Sequence, residues 1–283
     1  ELTKLLNDYR NAYYNENKSL VSDKEYDALF DILKRMEEES GVIFANSPTQ
    51  NVGYEVKSEL TKVKHNHPML SLGKTKSENE IVNFFSKDGV DREVIGMLKM
   101  DGLTCSLTYI DGNLVSAETR GNGVIGEDIT HNAMVIPSIP KKIEYKDKLT
   151  VFGEIICKYD DFEEFSDKYK NPRNFASGSI RLLDAKESAS RNLKFVAWDI
   201  IHHTPTKFKG LNNVFKYLLD LNFEVVPFTI MQKKFDENTI ELFKKHSKKD
   251  FFIPLDENID FQIHFRSHIR AYRASFYPNA EMI

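Results

Sequence analysis

Lys99-Met100-Asp101-Gly102, followed by Thr119-Arg120-Gly121-Asn122-Gly123 and Gly126-Glu127-Asp128, sets one lysine among acidic and phosphate-friendly groups. That combination suits covalent nucleotidyl transfer with the Lys99 amine as the attacking group. Lysine is the side chain for such a step, because burial or a neighbouring cation can neutralise it whereas arginine stays charged. The apolar run Val94-Ile95-Gly96-Met97-Leu98 just before it supplies the burial. A buried amine has its pKa drawn down from about 10.4 toward neutrality. On the tetrapeptide alone, an exposed lysine in a hairpin is the competing reading, since motifs this short recur by chance.

The flanking segments show how such a lysine would be positioned. Residues 103–110 alternate in strand fashion, Asp111-Gly112 is a hairpin turn signal, and residues 113–120 read as the return strand, which brings Arg120 back toward Lys99. The glycines at 121, 123 and 126 allow close approach of backbone to a ligand, and a guanidinium at 120 suits a phosphate or ribose oxygen. Upstream, Leu2, Leu5, Leu6, Tyr9, Ala12 and Tyr13 share a helical face, and Ser22 with Glu25 forms a capping box that opens a second helix. Tyr26, Leu29, Phe30, Leu33 and Met36 form the buried stripe expected of that second helix. Periodicity fades over residues 43–60, so a small helical module is expected at 1–60 and a larger domain at 61–283.

Within the larger domain, Ser77 and Glu80 open a helix before the strand that carries Lys99. Residues 94–202 are mostly strands, with a helix at 159–168 and a buried strand at 193–201. Val214, Tyr217, Leu218 and Leu221 mark a further helix, residues 223–229 a strand and residues 240–245 another helix.

At 283 residues and 41% hydrophobic content, the chain has the length for two domains and the material for a core. No apolar run approaches a membrane span and no signal-peptide pattern opens the chain, so no membrane partner and a cytoplasmic setting are expected. Cys105 and Cys157 lie in strand-like apolar contexts and read as buried free thiols; no dedicated metal-ligand set is assigned. A net charge of −4 excludes a surface that is basic throughout, so any nucleic-acid contact is local.

The order of Lys-x-Asp-Gly-Leu, Thr-Arg-Gly-x-Gly, Gly-Glu-Asp-Ile-Thr, Phe152-Gly153-Glu154 and the run from Asn171-Pro172-Arg173 to Ile180-Arg181 resembles the adenylation region of bacterial-type NAD-dependent DNA ligases. Tyr13-Tyr14, Ser22 to Asp27, Ser47-Pro48-Thr49-Gln50 and His67-Pro68-Met69-Leu70-Ser71-Leu72 follow the same family in order. This upstream block separates NAD-dependent ligases from the ATP-dependent ligases and capping enzymes that share the lysine motif. The resemblance covers about the first two hundred residues. It implies an α+β architecture: a small N-terminal helical module before a nucleotidyltransferase domain, ATP-grasp-like with a mixed antiparallel sheet.

The resemblance also implies roles. Lys99 would attack the α-phosphorus of NAD and release nicotinamide mononucleotide, with Asp101 orienting the amine and helping to hold Mg2+. Tyr13, Tyr14, Asp23, Tyr26 and Asp27 would receive the nicotinamide mononucleotide half. Leu70, Ser71 and Leu72 would line the adenine pocket through their backbone, and Arg120 and Glu154 would contact the ribose. Arg173 and Arg181 would meet phosphates of nicked double-stranded DNA. Plainer readings stand beside these: Tyr13 and Tyr26 as helix-pair core, Asp23 as a first-turn acid favoured by the helix dipole, and the two arginines as a structural pair tying a glycine-containing loop to carboxylates such as Asp184. Trp198 reads equally as a neighbour of the nucleotide or a core residue.

Three features depart from the family. The glutamate usual two residues before the lysine is Met97, which removes one hydrogen bond to adenine. Two late lysines are missing, and His264 and Arg273 stand in the nearest stretches as alternative cations. The family continues into an oligonucleotide-binding barrel, a four-cysteine zinc module and helix-hairpin-helix repeats, whereas two cysteines cannot make that zinc site. A monomeric adenylation fragment or one subunit of a split ligase is therefore expected, sealing nicks only together with those further domains or a partner subunit. The alternatives are a non-catalytic ligase-like module that binds NAD or nicks with decayed late motifs, and an ATP- or GTP-using relative, which leaves the Tyr13 to Asp27 block unexplained.

Overall fold

The computed structural model of the chain describes residues 1–15, 18–42, 47–49, 59–65, 69, 73–75, 93–202, 211–232, 261–266 and 271–276. Two N-terminal helices, α1 (Leu2–Asn15) and α2 (Asp23–Ser40), precede strands β1 (Lys62–Lys64), β2 (Gly73–Thr75), β3 (Glu93–Leu98), β4 (Leu103–Ile110), β5 (Asn113–Thr119) and β6 (Ile125–Glu127). Then follow β7 (Leu149–Ile156), β8 (Lys194–His202), β9 (Phe228–Gln232), β10 (Phe261–Arg266) and β11 (Ala271–Phe276), with short helices between them.

The capping box is formed as the sequence requires. Ser22 Oγ accepts from the Glu25 amide at 3.2 Å, and the Glu25 carboxylate accepts from the Ser22 amide at 2.9 Å. Gly41 closes α2 in the left-handed conformation. Leu6, Ala12 and Leu33 are the buried apolar residues of the pair. Met36, expected in the buried stripe, is 55% exposed, and Glu37 is buried in its place. The cause is local: the Thr49 hydroxyl donates to the Glu37 carboxylate while Ser47 bonds Thr49, so the Ser-Pro-Thr segment covers the Glu37 side of the helix.

The alternating segments pair into sheets that share a core. One sheet runs β5-β4-β7-β8, antiparallel throughout, with the β4–β5 hairpin turning at Asp111-Gly112. A second runs β2-β11-β10-β3-β9, antiparallel except for the parallel β11–β2 pair, and β1 with β6 makes a two-stranded ribbon. Cys105, Leu107 and Tyr109 of β4 pack with Val151 and Ile155 of β7 and Phe195 of β8, all 0% exposed. Both cysteines are free and buried. Phe175, from the helix Pro172–Ser179, and Phe215 and Leu218, from the helix Leu211–Asp220, belong to the same cluster.

Some expected elements shift. The helix anticipated at 159–168 is one turn, Tyr159–Phe162, followed by a 3-10 turn at Glu163–Phe165. The segment read as a glycine-containing loop is the helix Pro172–Ser179: Asn171 caps it by accepting from the Asn174 amide, and Pro172 sits in its first turn, where the missing N–H costs nothing. The strand anticipated at 223–229 starts later, at Phe228, because Phe223 and Val226 turn into the core and Val225 makes a single parallel bridge to Ala197. The helices anticipated near 77–80 and at 240–245 lie outside the described residues. Among the described residues, no helix is long and apolar enough to cross a membrane.

Candidate active site

Lys99 lies where the chain leaves one sheet and enters another. β3 ends at Leu98 in the five-stranded sheet and β4 begins at Leu103 in the four-stranded one, so Lys99 to Gly102 cross the seam. The apolar run does what its composition suggests: Ile95, Met97 and Leu98 are at most 2% exposed, and Lys99 itself is half-buried. Gly102 is held against β7, and a Cβ there would come within 2.1 Å of the Ile155 carbonyl oxygen.

Glu154 faces the same seam from β7, opposite Thr104 of β4. Burial pushes its carboxyl up to about 7, helped by the Asp101 charge and opposed by Lys99, the Thr104 side chain and Arg120. Lys99, Asp101 and Arg120 thus all lie close enough to act on the Glu154 charge. Arg120 arrives by the hairpin, as its spacing predicted: its amide donates to the Thr104 carbonyl at 2.8 Å and its Nε to the Met69 carbonyl at 3.0 Å. Leu70, Ser71 and Leu72 lie outside the described residues, directly after Met69.

Arg173 links this seam to the helical module. Its Nε donates to the Gly102 carbonyl at 3.0 Å and lies 3.2 Å from Asp101 Oδ1, and its guanidinium carbon sits 4.1 Å from the centre of the Tyr13 ring. Tyr14 follows Tyr13 in α1, Asp23 opens α2, and Tyr26 and Asp27 are half-buried in the next turn, with the Tyr26 ring 6.2 Å from Phe30. Arg181, at the other end of the helix Pro172–Ser179, is turned elsewhere. Its Nε donates at 2.7 Å to Glu127, whose side chain is 0% exposed, and its Nη1 donates at 2.6 Å to Ser177 Oγ. Asp184, the carboxylate considered for it in the structural reading, caps the helix Ala185–Ala189.

Strand register also places the two candidate late cations. His264 on β10 pairs with Arg273 on β11 and, on its other side, with Met97 on β3. Trp198 stacks on Phe152 with ring centres 5.9 Å apart.

The family model described as NAD-dependent DNA ligase adenylation domain matches residues 57–259, and that described as DNA ligase-like, N-terminal NAD+-binding domain matches residues 1–53. The chain belongs to the NAD-dependent DNA ligase family. A DNA ligase of Lachnoclostridium phytofermentans is 41% identical over 254 residues, covering 87% of this chain and 38% of the relative. One from Mycoplasma mycoides is 36% identical over 277 residues, covering 93% of this chain and 40% of the relative. The chain thus spans well under half the length of these DNA ligases. An ATP-dependent DNA ligase from bacteriophage T7, solved in complex with ATP, superposes with a TM-score of 0.40 at 10% identity over 75% of this chain and 69% of that one.

Three groups packed around Arg120 escaped the motif reading: His65, Glu118 and the Met69 carbonyl. His65 bridges Glu118 and the Arg120 backbone, and the Met69 carbonyl receives the Arg120 side chain. The available signal was the strand alternation that puts Glu118 and Arg120 on one face of the return strand.

Proposed function

We propose that this chain carries out the first step of nick sealing, transferring AMP from NAD to Lys99. The Lys99 nitrogen, having released its ammonium proton to solvent, attacks the α-phosphorus; a P–N bond forms, the bond from that phosphorus to the bridging oxygen breaks, and a second N–H proton passes to solvent. The electron pair leaves with nicotinamide mononucleotide, and lysyl-AMP remains. Most of the rate in such a transfer comes from positioning and from balancing charge. The observation that carries the reading is the placement of Lys99 and Asp101 at the seam between two sheets, with Arg120 and Lys99 both acting on the buried Glu154 carboxyl.

In this reading Asp101 orients the amine, Arg120 and Glu154 hold the ribose, and the backbone of Leu70, Ser71 and Leu72 frames adenine. Met97, 1% exposed, packs in the core where the family has an adenine-reading glutamate. Tyr13 and Tyr26 offer aromatic faces to the cationic nicotinamide ring, with Tyr14 beside them and Asp23 and Asp27 for ribose hydroxyls. The Asp101 carboxylate, close enough to the buried Glu154 carboxyl to act on it, fits a magnesium ion that completes its shell with phosphate oxygens; Asp101 would help to hold it, and it would neutralise charge on the transferred phosphate. Nicked double-stranded DNA is the proposed partner, met by Arg173 with Arg181 in support. Because Arg181 already serves Glu127 and Ser177, its contribution is to hold the helix that presents Arg173. The helical module is assigned to residues 1–60 and the nucleotidyltransferase domain to 61–283, acting as a cytoplasmic monomer.

Intact mass after incubation with NAD and magnesium tests this. One added AMP on the chain, absent from Lys99→Ala, is expected. An unmodified wild-type chain that still binds NAD would overturn it in favour of a binding module.

A further inference from the structure

His65 joins two walls of the site. Its side chain is 3% exposed, and its two ring nitrogens meet two oxygens: Nδ1 lies 3.1 Å from Glu118 Oε2, and Nε2 lies 3.0 Å from the Arg120 carbonyl. A carboxylate and a carbonyl both accept and neither donates. A neutral imidazole carries one N–H and would leave one of these contacts as lone pair against lone pair, whereas imidazolium donates to both. The ring lies close against Gly126 of β6, where a Cβ would fall 2.8 Å from the ring's Cε1.

The position matters because of what else the same segment holds. The His65 amide donates to the Val124 carbonyl and the Met69 amide to the Gly123 carbonyl, each at 2.8 Å, while β1 pairs with β6 from Lys62 to Lys64. The Arg120 carbonyl also accepts from the Gly123 amide at 2.9 Å, which closes the turn. His65 therefore clamps the backbone of Arg120 from behind while Met69, four residues on, receives the Arg120 Nε.

We propose that His65 is a buried imidazolium that acts as a positioning residue, fixing the backbone of Arg120 for nucleotide binding. This rests on the reading of Arg120 as a nucleotide contact. Among the described residues, the charged groups around the ring are few. Glu118 faces it from β5; Arg120, on the following loop, has its Nε at Met69; Glu127 of β6 is held by Arg181; and Lys62 and Lys64 of β1 are exposed. Burial opposes the charge, but the bond to Glu118 and those to the Arg120 and Thr119 carbonyls outweigh it, so the pKa of His65 is raised above its ordinary 6.5. For a raised base the sign is fixed: the clamp is complete below the ordinary value and is lost as pH rises through the raised one.

Two measurements on the full chain decide it. In nitrogen-15 spectra of histidine-labelled protein, His65 is expected to titrate above 6.5 from a form with both nitrogens protonated; a neutral tautomer at that pH overturns the proposal. KM for NAD and the maximal rate of AMP adduct formation, followed against pH, supply the functional arm. The wild type is expected to lose affinity at the alkaline end, and Glu118→Gln to move that loss to lower pH. His65→Gln is expected to raise KM about tenfold and flatten its pH dependence with the maximal rate within about twofold. An alkaline limb that Glu118→Gln leaves unmoved overturns the proposal, and should His65→Gln fail to fold, the Glu118 variant carries the test alone. Absence of any adduct in the wild type would instead strike at the nucleotide reading, and the nitrogen spectrum would still decide the charge of His65.

Discussion

The strands and the N-terminal helices hold their parts of the site by different means. Lys99, Asp101, Arg120 and Glu154 are fastened to strands whose apolar cluster extends from Leu60 to Val226 and draws on β3, β4, β7 and β8. Among the described residues, α1 and α2 contribute nothing to that cluster. They bury Leu6, Ala12 and Leu33 and leave Leu5, Ile32 and Met36 exposed; Arg173 on Tyr13, and Lys170 Nζ donating to the Ser19 carbonyl between the helices, tie them to the strand domain. The groups proposed to make and break bonds sit on packing whose loss unfolds the domain. Groups assigned to the leaving half sit on a small core joined through polar and ring contacts, so their placement can be altered while the strands stay intact.

Arg181→Ala gives the largest expected effect on that contrast. It leaves the fully buried Glu127 carboxylate without its cation, a loss of about 4 kcal/mol in urea unfolding. A loss below about 1 kcal/mol would show that Glu127 does not depend on the arginine. Leu33→Ala should cost about 3 kcal/mol, but locally. Amide exchange should quicken in α1 and α2 while the amides of β4 and β7 keep their protection; equal quickening everywhere would erase the distinction between the regions.

Acid titration separates the same two regions by sign. Glu154 holds its proton up to about 7 in the folded chain, so strand stability falls as pH rises from the ordinary carboxyl value of 4.5 to about 7 and is level above. Thermal unfolding against pH should show this slope, and Glu154→Gln should flatten it. Glu25, held below 4.5 by its bonds to Ser22, acts in the opposite direction: its contribution is present above 4.5 and is lost as pH falls through the lowered value. The smallest effect belongs to Ser22→Ala, about 1 kcal/mol on α2, read by helix content and by loss of that acid limb.

Much of the frame was legible because local chemistry decides it. The capping box at Ser22, the Asp111-Gly112 hairpin and the apolar run before Lys99 each specify an element within a few residues. The reach of Arg120 back to the lysine motif follows from hairpin register alone. What stayed hidden depends on contacts between distant segments. Glu127, which in sequence belongs to an acidic, phosphate-friendly run, is buried as the partner of Arg181, 54 residues later. His65 meets Glu118 across a separation of 53 residues, and no periodicity in either segment encodes that meeting. The helix at Pro172–Ser179 was obscured by its small residues, Ala176 to Ser179, which resemble a loop in composition although Asn171 and Pro172 together form a helix start.

Between Leu98 and Leu103 the backbone belongs to neither ladder: the last β3 pair is Leu98 with Ile263, and the first of β4 is Leu103 with Ile155. Strand register therefore does not dictate how many residues cross the seam. Met100, 5% exposed, is driven into the core between the two polar side chains, and Gly102 is seated where no larger residue fits against the Ile155 carbonyl. The lysine and the aspartate carry the proposed reaction; Met100 and Gly102, beside them, fix how that short segment is seated.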